Sequence, residues 1–337
     1  MDRFDFDKRL AKTFVKDFNI PIYVINEQLF FYQVETYGYM HLWNFFVSTL
    51  NKFPGTNESQ KETFLNERSR LEDEMVNEIQ MRDAYQRFNT CDLNCYGGIN
   101  IPVEKKDENI VCGYVSIDLR SANIQALNWH DPEILNGCRT WNEVVYGLNG
   151  HNAMSDYFIA SKRLRQVVLG KLNPKRAITI EKYIMSRIHK YIDEELNYGW
   201  KVVSFNNDEI VYQLDLSDMM TISPETLKDI IFDKIGVYVK VNAYSERKFR
   251  LYNMDNGDVT QQFSLRTSID GKVETKGVPG YLFGIVYKLL RGRAVGSSDK
   301  HFVNDNMDCL ICDEFVLYDD ERKILPINEP LIKDEND

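Results

Sequence analysis

Two short β-like runs, Lys201–Phe205 and residues 210–214, are joined by Asn206-Asn207-Asp208-Glu209. Val, Ile, Tyr and Phe favour extended backbone, and Asn and Asp accept the tight conformations of a turn, so the stretch predicts a β-hairpin. A hairpin makes its strands antiparallel and sets its turn residues at one end of a sheet. Here the turn carries two adjacent acids.

The segments around the hairpin extend the pattern. Residues 111–117 form a β-like run that ends at Asp118 and leads into a helical pattern over 121–127. Residues 155–191 read as helical with an interruption at Asn173-Pro174; 225–234 are helical, and 237–241 and 249–252 return to strand. This order predicts an α+β fold, an antiparallel sheet backed by helices. Further upstream, Phe64, Leu71, Met75 and Ile79 fall on one stripe of a helix, with Glu67, Arg70, Glu74 and Glu78 on its other faces, so the stripe packs on the protein. Residues 20–24 and 29–34 fit short strands and tightly packed helices alike. The Gly, Asn and Pro of residues 89–106 mark a boundary. The expected organisation is a largely helical region over 1–106, a core over 107–260 and a C-terminal region over 261–337 that ends in an acidic tail.

At 337 residues, with 43% hydrophobic and 27% charged residues, the chain has the make-up of a globular protein. No apolar run is long enough to span a bilayer, which predicts no membrane partner. The charged N-terminus lacks the apolar stretch of a secretory signal, and six cysteines do not make a disulfide scaffold, so the expected compartment is a reducing cytoplasm. A net charge of −10 argues against a generally basic nucleic-acid coat protein and leaves room for a local basic groove. The pairs Cys91/Cys95 and Cys309/Cys312 have thiolate spacing for zinc, but nothing in the sequence brings them together, and free thiols are the preferred reading.

Asp118 at a strand end and Asp208 in a hairpin are the kind of acids that hold Mg²⁺ or Mn²⁺, hard ions that take oxygen ligands and keep positions open for water and phosphate. Turn and cap chemistry alone also places Asp at strand ends. Alternation along an extended chain would put Asp208 and Glu209 on opposite faces, with Asp208 the favoured ligand beside Asp118 and Glu209 a weaker catalytic candidate. The turn formed by Leu119, Arg120 and Ser121 at a helix start would offer backbone N–H groups, and the Arg120 side chain, to a triphosphate.

The segment SFNNDEIVY resembles the hairpin of the tRNA-His guanylyltransferase family and the GGDEF hairpin of diguanylate cyclases. SIDLRSANIQAL resembles the earlier acidic motif of those families and motif A of family B DNA polymerases. The resemblance covers roughly residues 111–252, and the first hundred residues carry none of its motifs, which would suit a phage or viral branch. It implies a palm-like fold and a metal-dependent nucleotidyltransferase or polymerase, with nucleoside triphosphates and RNA or DNA as partners and Asp118 and Asp208 as metal ligands. By the family B comparison the residue under the sugar is Asn123, whose amide suits a 2′-hydroxyl.

Between the acidic motifs, residues 161–176 contain Lys162, Arg163, Arg165, Lys171, Lys175 and Arg176 and no acid. The segment resembles the basic fingers helix of family B polymerases, which implies that Lys162 and Arg165 grip the triphosphate; a solvated helix face is the plainer reading. Lys171, Lys175 and Arg176, with Arg247 and Lys248 in a later strand that resembles a primer-gripping one, are candidate nucleic-acid contacts. A non-catalytic nucleic-acid-binding or scaffold protein on a palm-like fold would need these basic residues and not the acids.

Overall fold

The computed structural model describes residues 6–22, 24–55, 57–106, 112–221, 223–253, 259–278, 283, 286–288, 301–303, 309–311 and 315–319. The chain packs as two compact units, one of residues 1–63 with 246–336 and the other Phe64–Ser245. The sequence suggested boundaries near 106 and 260; the units divide elsewhere. The later part of a long helix belongs with the core, and the 89–106 segment is tied to it by the Glu104 N–H, which donates to the Val202 carbonyl at 2.8 Å. Among the described residues no helix is long and apolar enough to cross a membrane.

In the first unit, helices α1 (Lys8–Asp17), α2 (Glu27–Thr36) and α3 (Met40–Leu50) gather aromatic side chains. Phe14, Phe30 and Phe46 are fully buried, and Trp43 lies 5.1–5.5 Å from all of them, ring centre to ring centre. Residues 29–34, open between strand and helix in the sequence, are therefore helical.

The second unit begins within α4 (Asn57–Met81), whose Phe64, Leu71, Met75 and Ile79 form the expected buried stripe. Then come α5 (Asp83–Thr90), β1 (Cys112–Leu119), α6 (Ala122–His130), α7 (Trp141–Asn149), α8 (Ala153–Ala160), α9 (Lys162–Gly170) and α10 (Pro174–Lys190). The hairpin β2 (Lys201–Phe205) and β3 (Glu209–Asp215) follows, then α11 (Leu216–Thr221), α12 (Pro224–Ile235) and β4 (Val239–Asn253), which crosses from the second unit into the first. Back in the first unit, β5 (Val259–Ser268) pairs with β6 (Val273–Lys276), β7 (His301–Val303) with β8 (Cys309–Ile311), and the end of β4 with β9 (Phe315–Asp319).

The sheet of the second unit runs β2-β3-β1-β4, with β1 antiparallel to both neighbours. The register sorts the side chains by face. Val115, Ile117 and Leu119 of β1 share one face with Ile210, Tyr212 and Leu214 of β3 and with Val239, Val241 and Ala243 of β4, and all are buried. Helix α10 packs on this apolar face, where His189 Nδ1 meets the Tyr212 hydroxyl at 3.2 Å, and α6 packs on α10. This is the α+β arrangement expected from the order of elements, and area removed from water on the apolar face holds the layers together.

Candidate active site

The other face of the sheet is more polar. Tyr114, Ser116 and Asp118 of β1 lie beside Gln213, Val211 and Glu209 of β3 and beside Tyr244, Asn242 and Lys240 of β4. Asp118 is directly across from Glu209 on one side and from Lys240 on the other. Directly opposed residues have Cβ atoms about 4.5–5.5 Å apart, so acid, acid and base form one row at the end of the sheet.

Asp208 sits in the turn. Its carbonyl accepts the Leu119 N–H at 2.9 Å, and the Asn206 N–H closes the hairpin on the Glu209 carbonyl at 2.8 Å. These bonds bring the turn against the end of β1. The sequence favoured Asp208 as the neighbour of Asp118; the ladder sets Glu209 there instead, because Glu209 is the residue in register. The charge of Asp208 acts on Glu181 of α10, the helix on the apolar face.

Glu181 was not singled out in the sequence. It is 4% exposed, among Ala177, Ile180, Ile184 and Ile188, and its Oε1 has no hydrogen-bond partner among the described residues. Burial, helped by the Asp208 charge, pushes its pKa up to about 7. The detectable signal was an acid at helical spacing within an apolar stripe. Lys240 was also missed; a lysine between Val239 and Val241 signals a strand with one polar face.

The strand-to-helix turn differs from the expectation in its hydrogen bonds. The backbone N–H groups of Leu119 and Arg120, expected to face a phosphate, donate to the carbonyls of Asp208 and Tyr238 at 2.9 and 3.0 Å. Leu119 is the last residue of β1 and Arg120 the turn residue after it, and bonds to the hairpin turn and to the residue just before β4 consume both donors. The Leu119 side chain is buried and Arg120 is exposed. Ser121 takes a left-handed conformation, φ 49°, which turns the chain sharply into α6. Asn123 is half-buried in the first turn of that helix.

The basic residues separate by environment. Lys162 and Arg165 are half-buried on α9, which packs against α8. Ser161 caps α9 by accepting the Leu164 N–H at 3.1 Å. Leu164, Val168, Leu169 and Leu172 are buried and Val167 is half-buried. Lys171 is bound to Glu72 and Asp73 of α4 at 2.8 and 3.1 Å. Arg176 donates to the Cys91 sulfur at 3.2 Å and stacks over Phe88. These two cations, expected to meet nucleic acid, are engaged by the protein's own groups because α4 and α5 bring acids and an aromatic ring to them. Lys175 is exposed. Arg247 and Lys248 lie on β4 in the first unit, and their side chains fall outside the described residues. Cys309 belongs to the first unit and Cys91 and Cys95 to the second; Cys312 lies outside the described residues.

Among the described residues no group of three or more His, Cys, Asp or Glu side chains could hold a metal ion. A magnesium-type ion needs only one or two carboxylates, with water and phosphate oxygens in its remaining positions, and at the sheet end Asp118 and Glu209 are opposite each other. Comparison with models of known protein families, with curated proteins and with solved structures finds no match.

Proposed function

We propose that this end of the sheet binds a nucleoside triphosphate with Mg²⁺ or Mn²⁺ and transfers its nucleotidyl group to a hydroxyl, the 3′ end of a nucleic acid being the acceptor that fits the basic residues. The observation that supports the reading is the row Glu209–Asp118–Lys240, with the Asp208 turn bonded to the end of β1. Phosphoryl transfer needs carboxylates that hold a cation and a base that offsets the phosphate charge, and this row supplies both from neighbouring strands.

In this reading Asp118 holds the ion together with Asp208 or Glu209. A bound ion would activate the attacking hydroxyl and offset the charge of the departing pyrophosphate. Lys240 balances the acids and contacts a phosphate oxygen. The amides of Ala122 and Asn123, in the first turn of α6, are donors that the helix itself leaves over, and they take the place proposed for those of Leu119 and Arg120. Arg120, Ser121, Lys162 and Arg165 remain candidate phosphate contacts, and Lys175, Arg247 and Lys248 candidate nucleic-acid contacts. Asn123 would bond the sugar hydroxyl.

The test is incubation of the purified chain with labelled nucleoside triphosphates, Mg²⁺ or Mn²⁺, and single-stranded or primed RNA and DNA. Release of pyrophosphate that is lost in Asp118→Asn supports the proposal. Salt-dependent nucleic-acid binding with no pyrophosphate under any combination would leave a binding module in its place.

A further inference from the structure

A second cluster of reactive side chains lies in the second unit and takes no part in the proposed transfer. Cys91 ends α5, His130 ends α6, Arg176 is in the first turn of α10, and Tyr96 follows Cys91 in the chain. The Cys91 sulfur is 3.6 Å from His130 Nε2 and 3.2 Å from Arg176 Nη2, which also donates to the Cys91 carbonyl at 2.5 Å. His130 Nδ1 is 3.2 Å from the Tyr96 hydroxyl, which orients the ring. Phe88 packs against both partners, 5.3 Å from the His130 ring centre and 5.3 Å from the guanidinium carbon. The thiol hydrogen has another acceptor, the Phe88 carbonyl at 3.4 Å.

We propose that Cys91 is a nucleophilic thiol site for hydroperoxides and other small soft electrophiles, with His130 as its base and Arg176 facing the charge on sulfur. A nucleophile in reach of a base, the base in turn fixed by a third group, is the arrangement that activates thiols. Burial, with the Arg176 charge acting in the same direction, holds the His130 imidazole below its ordinary pKa in spite of Asp131, so the ring is neutral near pH 7 and can accept a proton. In the tautomer that serves as base, Nδ1–H donates to the Tyr96 oxygen and the unprotonated Nε2 faces the thiol.

With a hydroperoxide, the sulfur attacks the terminal oxygen as His130 takes the thiol proton. The S–O bond forms, the O–O bond breaks, and the proton passes to the departing oxygen. Cys91 becomes a sulfenic acid, and the hydroperoxide is reduced to an alcohol, or to water when it is hydrogen peroxide.

Cys95, exposed and close in the chain, is an internal reference. The full chain is treated with limiting iodoacetamide at pH 7.4, and the alkylation rates of Cys91 and Cys95 are read by peptide mass spectrometry. Cys91 is expected to react at least about tenfold faster than Cys95, the roughly hundredfold low end of what a positioned base supplies being reduced because Cys91 is half-buried and Cys95 exposed. Hydrogen peroxide followed by dimedone should then label Cys91 in Cys95→Ser. His130→Gln, which keeps a polar partner for Tyr96 but no base, should remove most of the advantage. A Cys91 rate at or below that of Cys95 in the unmodified chain overturns the proposal, as does a Cys91 rate unchanged in both folded His130→Gln and folded Arg176→Lys. If the variants do not fold, the Cys91-to-Cys95 ratio decides alone.

Discussion

Glu181 makes stability depend on pH in an unusual direction. Its ordinary pKa of 4.5 becomes about 7 in the folded chain, so between these values the folded state keeps a proton that the unfolded state has released. Stability must then fall as pH rises through this window, with no cost below it and the whole cost present above it. A tenfold change in proton affinity is worth about 1.4 kcal/mol, so the cost above pH 7 is on the order of 3 kcal/mol. Glu181→Gln keeps the shape and removes the charge. Urea unfolding followed by tryptophan fluorescence, in EDTA so that only protein charges act, should give matching stabilities near pH 4.5 and a variant about 3 kcal/mol more stable at pH 8. If the two proteins differ by a constant amount across the whole range, Glu181 titrates normally, and its coupling to Asp208 is wrong.

Asp118→Asn should lower nucleotidyl transfer more than about a hundredfold, as should whichever of Asp208→Asn and Glu209→Gln removes the second ligand, with little change in melting temperature because each substitution keeps the side chain's shape. Pyrophosphate release and thermal unfolding check this together, and Glu209→Gln with near-normal turnover would exclude its place in the row. Lys240→Ala should raise the KM for triphosphate about tenfold, measured at saturating nucleic acid, because one charged phosphate contact is lost. The unsubstituted chain should prefer ribonucleoside over deoxyribonucleoside triphosphates, and Asn123→Tyr should reverse the preference in a competition assay. Gly113→Ala should destabilise the second unit by about 1–3 kcal/mol in urea titration, as overpacking does. The added Cβ would lie 2.4 Å from the Met219 sulfur and 2.8 Å from its Cβ, and the latter atom cannot swing away.

The parts of this molecule that were legible in sequence are those written in local spacing. The β2–β3 hairpin follows from two extended runs and an Asn-rich turn, and the buried face of α4 follows from helical periodicity. The aromatic stretch 29–34 was ambiguous because bulky aromatics suit a pleated strand and a crowded helix equally; only the company of Phe14, Trp43 and Phe46 makes it helical. The place of Glu209 depends on register, which the sequence of one strand does not contain. Lys171 and Arg176 looked like surface cations since their partners, Glu72, Asp73 and Phe88, are far away in the chain. The Cys91–His130–Arg176 group was hidden for the same reason, with one member from each of three helices or helix ends.

The central position of β1 also sets an order of assembly. Its pairs reach from Cys112 to Asp215 and from Leu119 to Val239, whereas β2 and β3 close over nothing more than their own turn. Closing a long loop costs more chain entropy than closing a short one, so contacts near in sequence form before distant ones. The hairpin can therefore take shape early, carrying Asp208 and Glu209, while Asp118 is fixed only when β1 docks and Lys240 only when β4 completes its other edge. A nascent chain that has not yet emerged past β4 holds acids from β1 and β3 with no lysine beside them, and mutual repulsion between Asp118 and Glu209 then works against the β1–β3 pairing. Arrival of Lys240 offsets that repulsion, so β4 acts as a latch, and the row of charges that would do chemistry exists only in a chain whose β4 has docked on β1.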